Sequence, residues 1–163
     1  LPTLAELLGV APAARWDGVS YAPSLLAGRD CGRDYLVVSQ MAHVCQRSVR
    51  MGDWLYMRTY HGGLHLFDGE MLFNLKDDPH EKYNVLEDFP EIAGMCARIL
   101  LDWHQEMMEA VPDGIDPMET VLREGGPLHS RGHVLAYAQR LRETGRADGA
   151  EELIRRYPPE KNM

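Results

Sequence analysis

The chain has 163 residues, of which 45% are apolar and 26% are charged, a composition ordinary for one globular domain or a little more. Its formal net charge of −8, with acidic and basic residues interleaved, argues against a broad basic surface for nucleic acid or anionic membrane. No stretch approaches the roughly 18 apolar residues of a membrane span. We therefore expect an acidic globular protein with no nucleic acid and no membrane partner.

Cys31, Cys45 and Cys96 are odd in number, widely separated and without a CxxC pair, which does not fit a disulfide framework or a zinc ribbon. Reduced and mostly buried thiols are expected, and these favour a cytoplasmic location. Leu1 opens inside an amphipathic pattern without signal-peptide features, so any targeting signal is expected upstream.

The start of the chain predicts little regular structure. Thr3 has the spacing of a helix cap, and Gly9 stands where that helix would stop. A turn is expected at 17–18, and a brief helical piece at 24–26 closed by Gly28.

The next segment predicts an antiparallel sheet of about four strands joined by reversals at 51–53 and 68–69. Alternation in the central strand places Trp54, Tyr56 and Tyr60 on one face. The extended runs are 35–40, 44–50, 54–60, 64–67 and 71–75.

A long amphipathic helix follows the sheet. We expect it to begin at Asp88, with Pro90 in the first turn and Glu91 in a capping box, and to run to about residue 111. A strand layer and one such helix would bury each other's apolar faces, so the predicted fold class is α+β. The apolar positions at helical spacing are Ile92, Met95, Cys96, Ile99, Trp103 and Met107.

The last third of the chain predicts an ordered linker with a short helix at 118–123, and then two helices at 132–143 and 147–157. No second copy of this helix pair is visible, which excludes a repeat array. We expect a C-terminal arm that docks on a neighbour, so a homo-oligomer is one candidate partner arrangement.

The stretch WLYMRTYHGGLHLFDGEMLFNLKDDPHEKYN, residues 54–84, resembles the C-terminal subdomain of type I sulfatases in the alkaline phosphatase superfamily. The earlier segments LPTLAELLGV and DGVSYAPSLLAG reproduce the order found just upstream of that subdomain. The matching residues are Trp54, Tyr56, Arg58, Glu70, Leu72, Asn74, Leu75, Asp77, Asp78, Pro79, Glu81 and Asn84.

The resemblance implies three parts: residues 1–34 as the end of a catalytic α/β domain and connector, 35–111 as the C-terminal subdomain, and 112–163 as a helical extension. It implies a C-terminal fragment of a sulfuric ester hydrolase, inactive alone, whose partner is the missing N-terminal catalytic domain of the same chain. In such enzymes a cysteine in a CxPxR setting becomes formylglycine, and a divalent cation, Ca or Mn, assists attack on a small-molecule sulfate ester. None of the three cysteines has that setting, so both cofactors are expected in the missing domain.

Four side chains are candidates for the substrate entrance of the full protein. His61 and His65 flank two glycines in a predicted loop and could pair with a sulfate oxygen, the alternative being a solvated loop tip. His43 and Arg47 fall on one side by strand alternation and could line the pocket rim, the alternative being a charged surface. The sequence predicts no metal ligands, since Asp77–Asp78 is typical of a turn that caps backbone amides and His129 suits linker packing.

Two other functions remain open. A phosphonate or phosphate monoester hydrolase of the same superfamily would use similar chemistry and a similar closing subdomain. A noncatalytic binding or assembly module would use the face of Trp54, Tyr56 and Tyr60 as a contact, although these rings are also suited to packing against the helix that carries Trp103.

Overall fold

The computed structural model describes residues 1–13, 16, 18–111 and 114–158. The chain divides into two compact units, Leu1–Asp34 and Tyr35–Met163. The turn predicted at 17–18 involves Asp17, which lies outside the described residues. None of the helices in the described part is both long and apolar enough to cross a bilayer. The three-part division inferred from the resemblance stays a prediction.

The first unit contains two short helices, α1 (Pro2–Leu7) and α2 (Ala22–Ala27). The predicted cap at Thr3 is wrong: α1 already begins at Pro2, whose ring fixes φ near the helical value, and the Thr3 hydroxyl instead accepts from the amide of Tyr21 at 2.9 Å. Gly28 ends α2 with a φ of +62°, the left-handed conformation predicted there.

The second unit is built on a four-stranded antiparallel sheet in the order β1-β2-β3-β4. The hairpin predicted between the second and third strands is confirmed, with Gly52 at a φ of +57°. The strands are β1 (Leu36–Gln40), β2 (Cys45–Met51), β3 (Trp54–His61) and β4 (Glu70–Asn74).

The strand predicted at 64–67 is wrong, because β3 pairs directly with β4 and the residues between them form a loop. The backbone turns where the amide of His65 donates to the carbonyl of Gly62 at 2.9 Å. The loop then packs elsewhere: Leu64 lies against the C-terminal helices, and the Phe67 carbonyl accepts from Arg156. Tertiary packing has therefore overridden strand propensity here.

Helix α3 (Pro90–Ala110) packs against one face of the sheet. Its predicted capping box is wrong, since Phe89 occupies the cap position and no side chain caps the helix, while Pro90 lies in the first turn as expected. The α+β prediction is confirmed, with Tyr56 of the aromatic face fully buried against this helix. The shared core consists of Val49, Tyr56, Leu72, Ala93, Cys96 and Leu100.

Three further α-helices follow: α4 (Pro117–Arg123), α5 (Val134–Glu143) and α6 (Ala147–Arg156), with a short 3-10 helix at Leu128–Ser130. Helices α5 and α6 form the predicted pair. Contact of this pair with a second copy stays a prediction. The pair has a buried core of its own, made of Val134, Ala138, Leu141, Ala150 and Leu153.

Among the described residues, one buried side-chain polar group has no hydrogen bond of normal geometry, and its contribution to stability can be tested. The Tyr56 hydroxyl is buried without a hydrogen bond of normal geometry, although it lies near Arg58, which pairs with Glu70. We expect Tyr56→Phe to leave the free energy of unfolding in urea unchanged or raised, since no hydrogen bond is lost and a desolvated hydroxyl is removed. The control Leu72→Ala, at a fully buried neighbour, should lower it by about 2–5 kcal/mol. A clear loss of stability in Tyr56→Phe would show that the hydroxyl has a partner.

Candidate functional site

Three histidines from separate segments meet at one end of the sheet. His43 lies between β1 and β2, His65 between β3 and β4, and His129 in the 3-10 helix. The Nε2 atoms of His43 and His65 are 3.1 Å apart, and the rings of His43 and His129 stack with centroids 4.7 Å apart and planes 9° from parallel. We call these residues, together with His61, the histidine cluster.

Glycines make this close approach possible. A Cβ atom at Gly62 would lie 2.5 Å from the carbonyl oxygen of His65, and one at Gly63 would lie 2.7 Å from that of His43. Gly63 also has a φ of +62°, which disfavours any side chain. The two glycines that predict a turn in the sequence are therefore also required for packing.

His61 is the most enclosed member of the cluster. Its ring contacts that of Tyr157 with centroids 4.3 Å apart, and a Cβ atom at Gly126 would lie 2.5 Å from it. Its Nδ1 accepts from the amide of Gly63 at 3.0 Å, so Nδ1 carries no proton in this arrangement. The Tyr157 hydroxyl accepts from the amide of Gly62 at 2.8 Å, which joins the end of α6 to the same loop.

Two members of the cluster, His61 and His65, favour the neutral imidazole. Burial, and then repulsion from His129, lower the pKa of His61 below its ordinary value. Burial, followed by His43 and His129, lowers the pKa of His65 in the same way. Among the described residues, no carboxylate forms an ion pair with a member of the cluster. A neutral imidazole can donate one hydrogen bond and accept another, so His61 and His65 are suited to polar contacts.

Arg47 has different surroundings from the three histidines predicted with it. It is 6% exposed, and its Nη2 donates to both carboxylate oxygens of Asp116 at 2.7 Å. Its guanidinium also lies over the rings of Tyr60 and Trp103, 5.8 and 5.5 Å from their centroids. The alternation used to place His43 and Arg47 on one side does not hold, because the β2–β3 register shifts at Cys45/Gln46 and His43 precedes β2.

The Asp116 carboxylate takes part in four hydrogen bonds. Besides the two from Arg47, it accepts from the amide of Met118 at 2.9 Å, which caps α4, and its Oδ2 lies 3.0 Å from Nε2 of His104 on α3. Burial opposes ionisation, but the hydrogen bonds from Arg47 and Met118 outweigh it and lower the pKa of Asp116. This carboxylate therefore joins β2, α3 and α4.

The structure thus unites His43, His61 and His65 and adds His129, which the sequence had assigned to linker packing. No local pattern could have revealed His129 as a member, because its neighbours come from the opposite half of the chain. Asp78 caps the amides of Lys82 and Tyr83, at 2.6 and 2.9 Å, in the turn for which the sequence predicted this role. Cys45 and Cys96 are buried free thiols, and Cys31 is exposed.

Comparison with known proteins gives matches among solved structures only; no family model and no curated protein matches the chain. A structure of BT4656 in complex with its substrate D-glucosamine-2-N,6-O-disulfate aligns with a TM-score of 0.53, 17% identity, and coverage of 71% of this chain and 25% of that one. The candidate sulfatase yidJ from Bacteroides fragilis aligns with a TM-score of 0.52, 18% identity, and coverage of 72% and 24%.

At these identities the matches establish the fold. The chain has a fold found in sulfatase structures, which confirms the resemblance seen in residues 54–84 at that level. It spans about a quarter of the length of the proteins it matches.

The lowered pKa values predict acid sensitivity. Because the imidazoles of His61 and His65 bind protons less readily when folded, the unfolded chain takes up more protons as the pH falls below about 6.5. We expect the free energy of unfolding in urea to fall over that window, and to fall less in His65→Gln than in the wild type. His80→Gln, an exposed turn position, is the matched control and should keep the wild-type slope. Equal slopes for His65→Gln and the wild type would contradict the prediction.

The contacts of Asp116 with β2, α3 and α4 predict a large loss of stability when its side chain is shortened. Asp116→Ala should lower the free energy of unfolding by about 3–5 kcal/mol, because it leaves the buried Arg47 guanidinium without its partner. Arg47→Met combined with Asp116→Asn should recover much of that loss, since no buried charge remains and Asn can still cap α4. Glu119→Ala, which removes an exposed pair on α4, is the control and should cost less than about 1 kcal/mol.

Proposed function

We propose that this chain is the C-terminal part of a sulfatase, a sulfuric ester hydrolase, and that it supports a catalytic domain located elsewhere in the same protein. The observation that carries the proposal is the fold match, in which 71–72% of this chain aligns with 24–25% of two longer proteins. On this proposal, the rest of the longer protein supplies most of the enzyme.

The residues of this chain do not fit the formylglycine and the metal site that the family implies. Within the described ranges, no group of three or more His, Cys, Asp or Glu side chains could hold a metal ion. The three cysteines lack the proline and arginine of a formylglycine site. We therefore derive no catalytic step for this chain, and we propose that the formylglycine and a divalent cation, Ca or Mn, belong to the missing domain.

The proposed role of the histidine cluster is at the substrate entrance. His43 and His65 are exposed, and a neutral imidazole can donate a hydrogen bond to a sulfate oxygen. One structural neighbour binds a sulfated glucosamine as its substrate, so a sulfated sugar is the substrate class that we propose. The enclosed His61 would hold the loop that carries His65, through its bond to Gly63.

The proposed contact with the missing domain is the apolar surface of the first unit. Leu4 and Leu8 are 61% and 77% exposed, and Leu26 is 76% exposed. Clustered apolar side chains of this kind are typical of surfaces that another domain or protein covers.

The proposal predicts that the longer protein is active and that this chain alone is inactive. We expect the 163-residue chain to release no product from an aryl sulfate, even with added Ca²⁺, while the longer protein that contains it hydrolyses the ester. Turnover by the short chain would contradict the assignment of the reactive groups. Hydrolysis of aryl phosphonate or phosphate, but not sulfate, by the longer protein would favour a phosphonate or phosphate monoester hydrolase of the same superfamily.

In the same longer protein, His65→Ala and His43→Ala test the entrance role. We expect either change to lower kcat/KM by about tenfold for a sulfated sugar, the effect of losing one hydrogen bond to a charged group. His80→Ala is the matched control and should leave kcat/KM unchanged. Unaltered kinetics in both cluster variants would remove the histidines from the entrance while leaving the sulfatase proposal intact.

A further inference from the structure

A groove of about 410 Å³ lies in the second unit between α3 and the strands β2 and β3. It is separate from the histidine cluster, which shares none of its lining residues. Four of the side chains that line it can carry positive charge, and the others are apolar or aromatic. They include Arg47, Arg58, Tyr60, Arg98, Leu101 and His104.

The four basic side chains of this groove are each paired with a carboxylate that lies outside its lining: Asp116, Glu70 or Asp102. The formal net charge is −8, yet no carboxylate lines the groove. Two other grooves of similar volume, about 490 and 440 Å³, each contain a carboxylate, Glu6 in one and Asp148 in the other. A concave surface lined by cations attracts anions, because the surrounding low-dielectric walls concentrate their field.

The cations differ in how firmly they are held. Arg47 is fixed by its buried ion pair with Asp116. Arg58 and Arg98 form exposed pairs, with side chains that are 47% and 79% accessible to solvent. Exposed pairs contribute little to stability, so a ligand can replace the carboxylate partner at small cost. A guanidinium can bind a sulfate or phosphate oxyanion through two parallel hydrogen bonds, as it does a carboxylate.

The apolar part of the groove determines what else the ligand must carry. Tyr60 is 41% exposed and Leu101 is 65% exposed, although both belong to elements that otherwise pack in the core. An exposed ring beside an aliphatic side chain offers a flat apolar contact. A site with convergent polar groups and such a contact suits a ring that carries a charged substituent.

We propose that this groove is a noncatalytic binding site for an organic oxyanion, a ring compound bearing a sulfate or phosphate ester group. Arg58 and Arg98 hold the charged group, and Tyr60 and Leu101 contact the ring. Arg47 forms a rigid positive base beneath them. The site is independent of the proposed function, since it requires neither a catalytic domain nor turnover of the ligand.

The test measures dissociation constants of the 163-residue chain by ligand-observed NMR titration with phenyl sulfate, phenyl phosphate and phenol. We expect either ester to bind more tightly than phenol by about tenfold, and Arg98→Gln or Arg58→Gln to remove about tenfold of that affinity. Arg155→Gln, an exposed arginine on α6, is the matched control and should bind as the wild type does. Both replaced arginines are exposed, and circular dichroism with a melting curve confirms that each variant folds.

Equal affinity for phenol and the esters would overturn the proposal, because the groove would then be apolar only. So would unchanged affinity in both arginine variants, or no binding of either ester. Preference for phenyl sulfate over phenyl phosphate, or the reverse, supports the proposal and shows which of the two ester groups the site prefers. Failure of the longer protein to hydrolyse sulfate esters has no bearing on these results, so the two proposals fail separately.

Discussion

The ion pair between Arg47 and Asp116 is the most enclosed ion pair among the described residues, and it joins the first of the C-terminal helices to the sheet. Arg47 belongs to β2, while Asp116 caps α4 and also bonds to His104 of α3. Because the pair is almost fully enclosed, removing either charge leaves the other desolvated and unpaired. The 3-10 helix that carries His129 follows α4 after residues 124–127, so the pair also helps to position His129, which stacks on His43.

A second constraint comes from backbone that approaches side chains too closely for any residue but glycine. Gly62, Gly63 and Gly126 each leave no room for a Cβ atom beside carbonyl oxygens or the His61 ring. These three positions let the β3–β4 loop and the C-terminal segments meet, and they bring the imidazoles within contact distance. The cluster is thus a product of backbone geometry, and burial, followed by the neighbouring imidazoles, lowers the pKa of His61 and of His65.

Two different polar surfaces result. At one end of the sheet is the histidine cluster, and between the sheet and α3 is a groove lined by arginine side chains.

The amino-acid sequence by itself determined the α+β class, the hairpin at Gly52 and the extent of α3, because periodicity and turn residues act over a few neighbouring positions. It misplaced the cap of α3 and a strand at 64–67, where packing overrode local preference. Only the tertiary structure decided that His129 joins His43 and that Arg47 pairs with Asp116, 69 residues away. Contacts between distant segments leave no periodic trace in a single sequence, because they depend on how completed elements pack together.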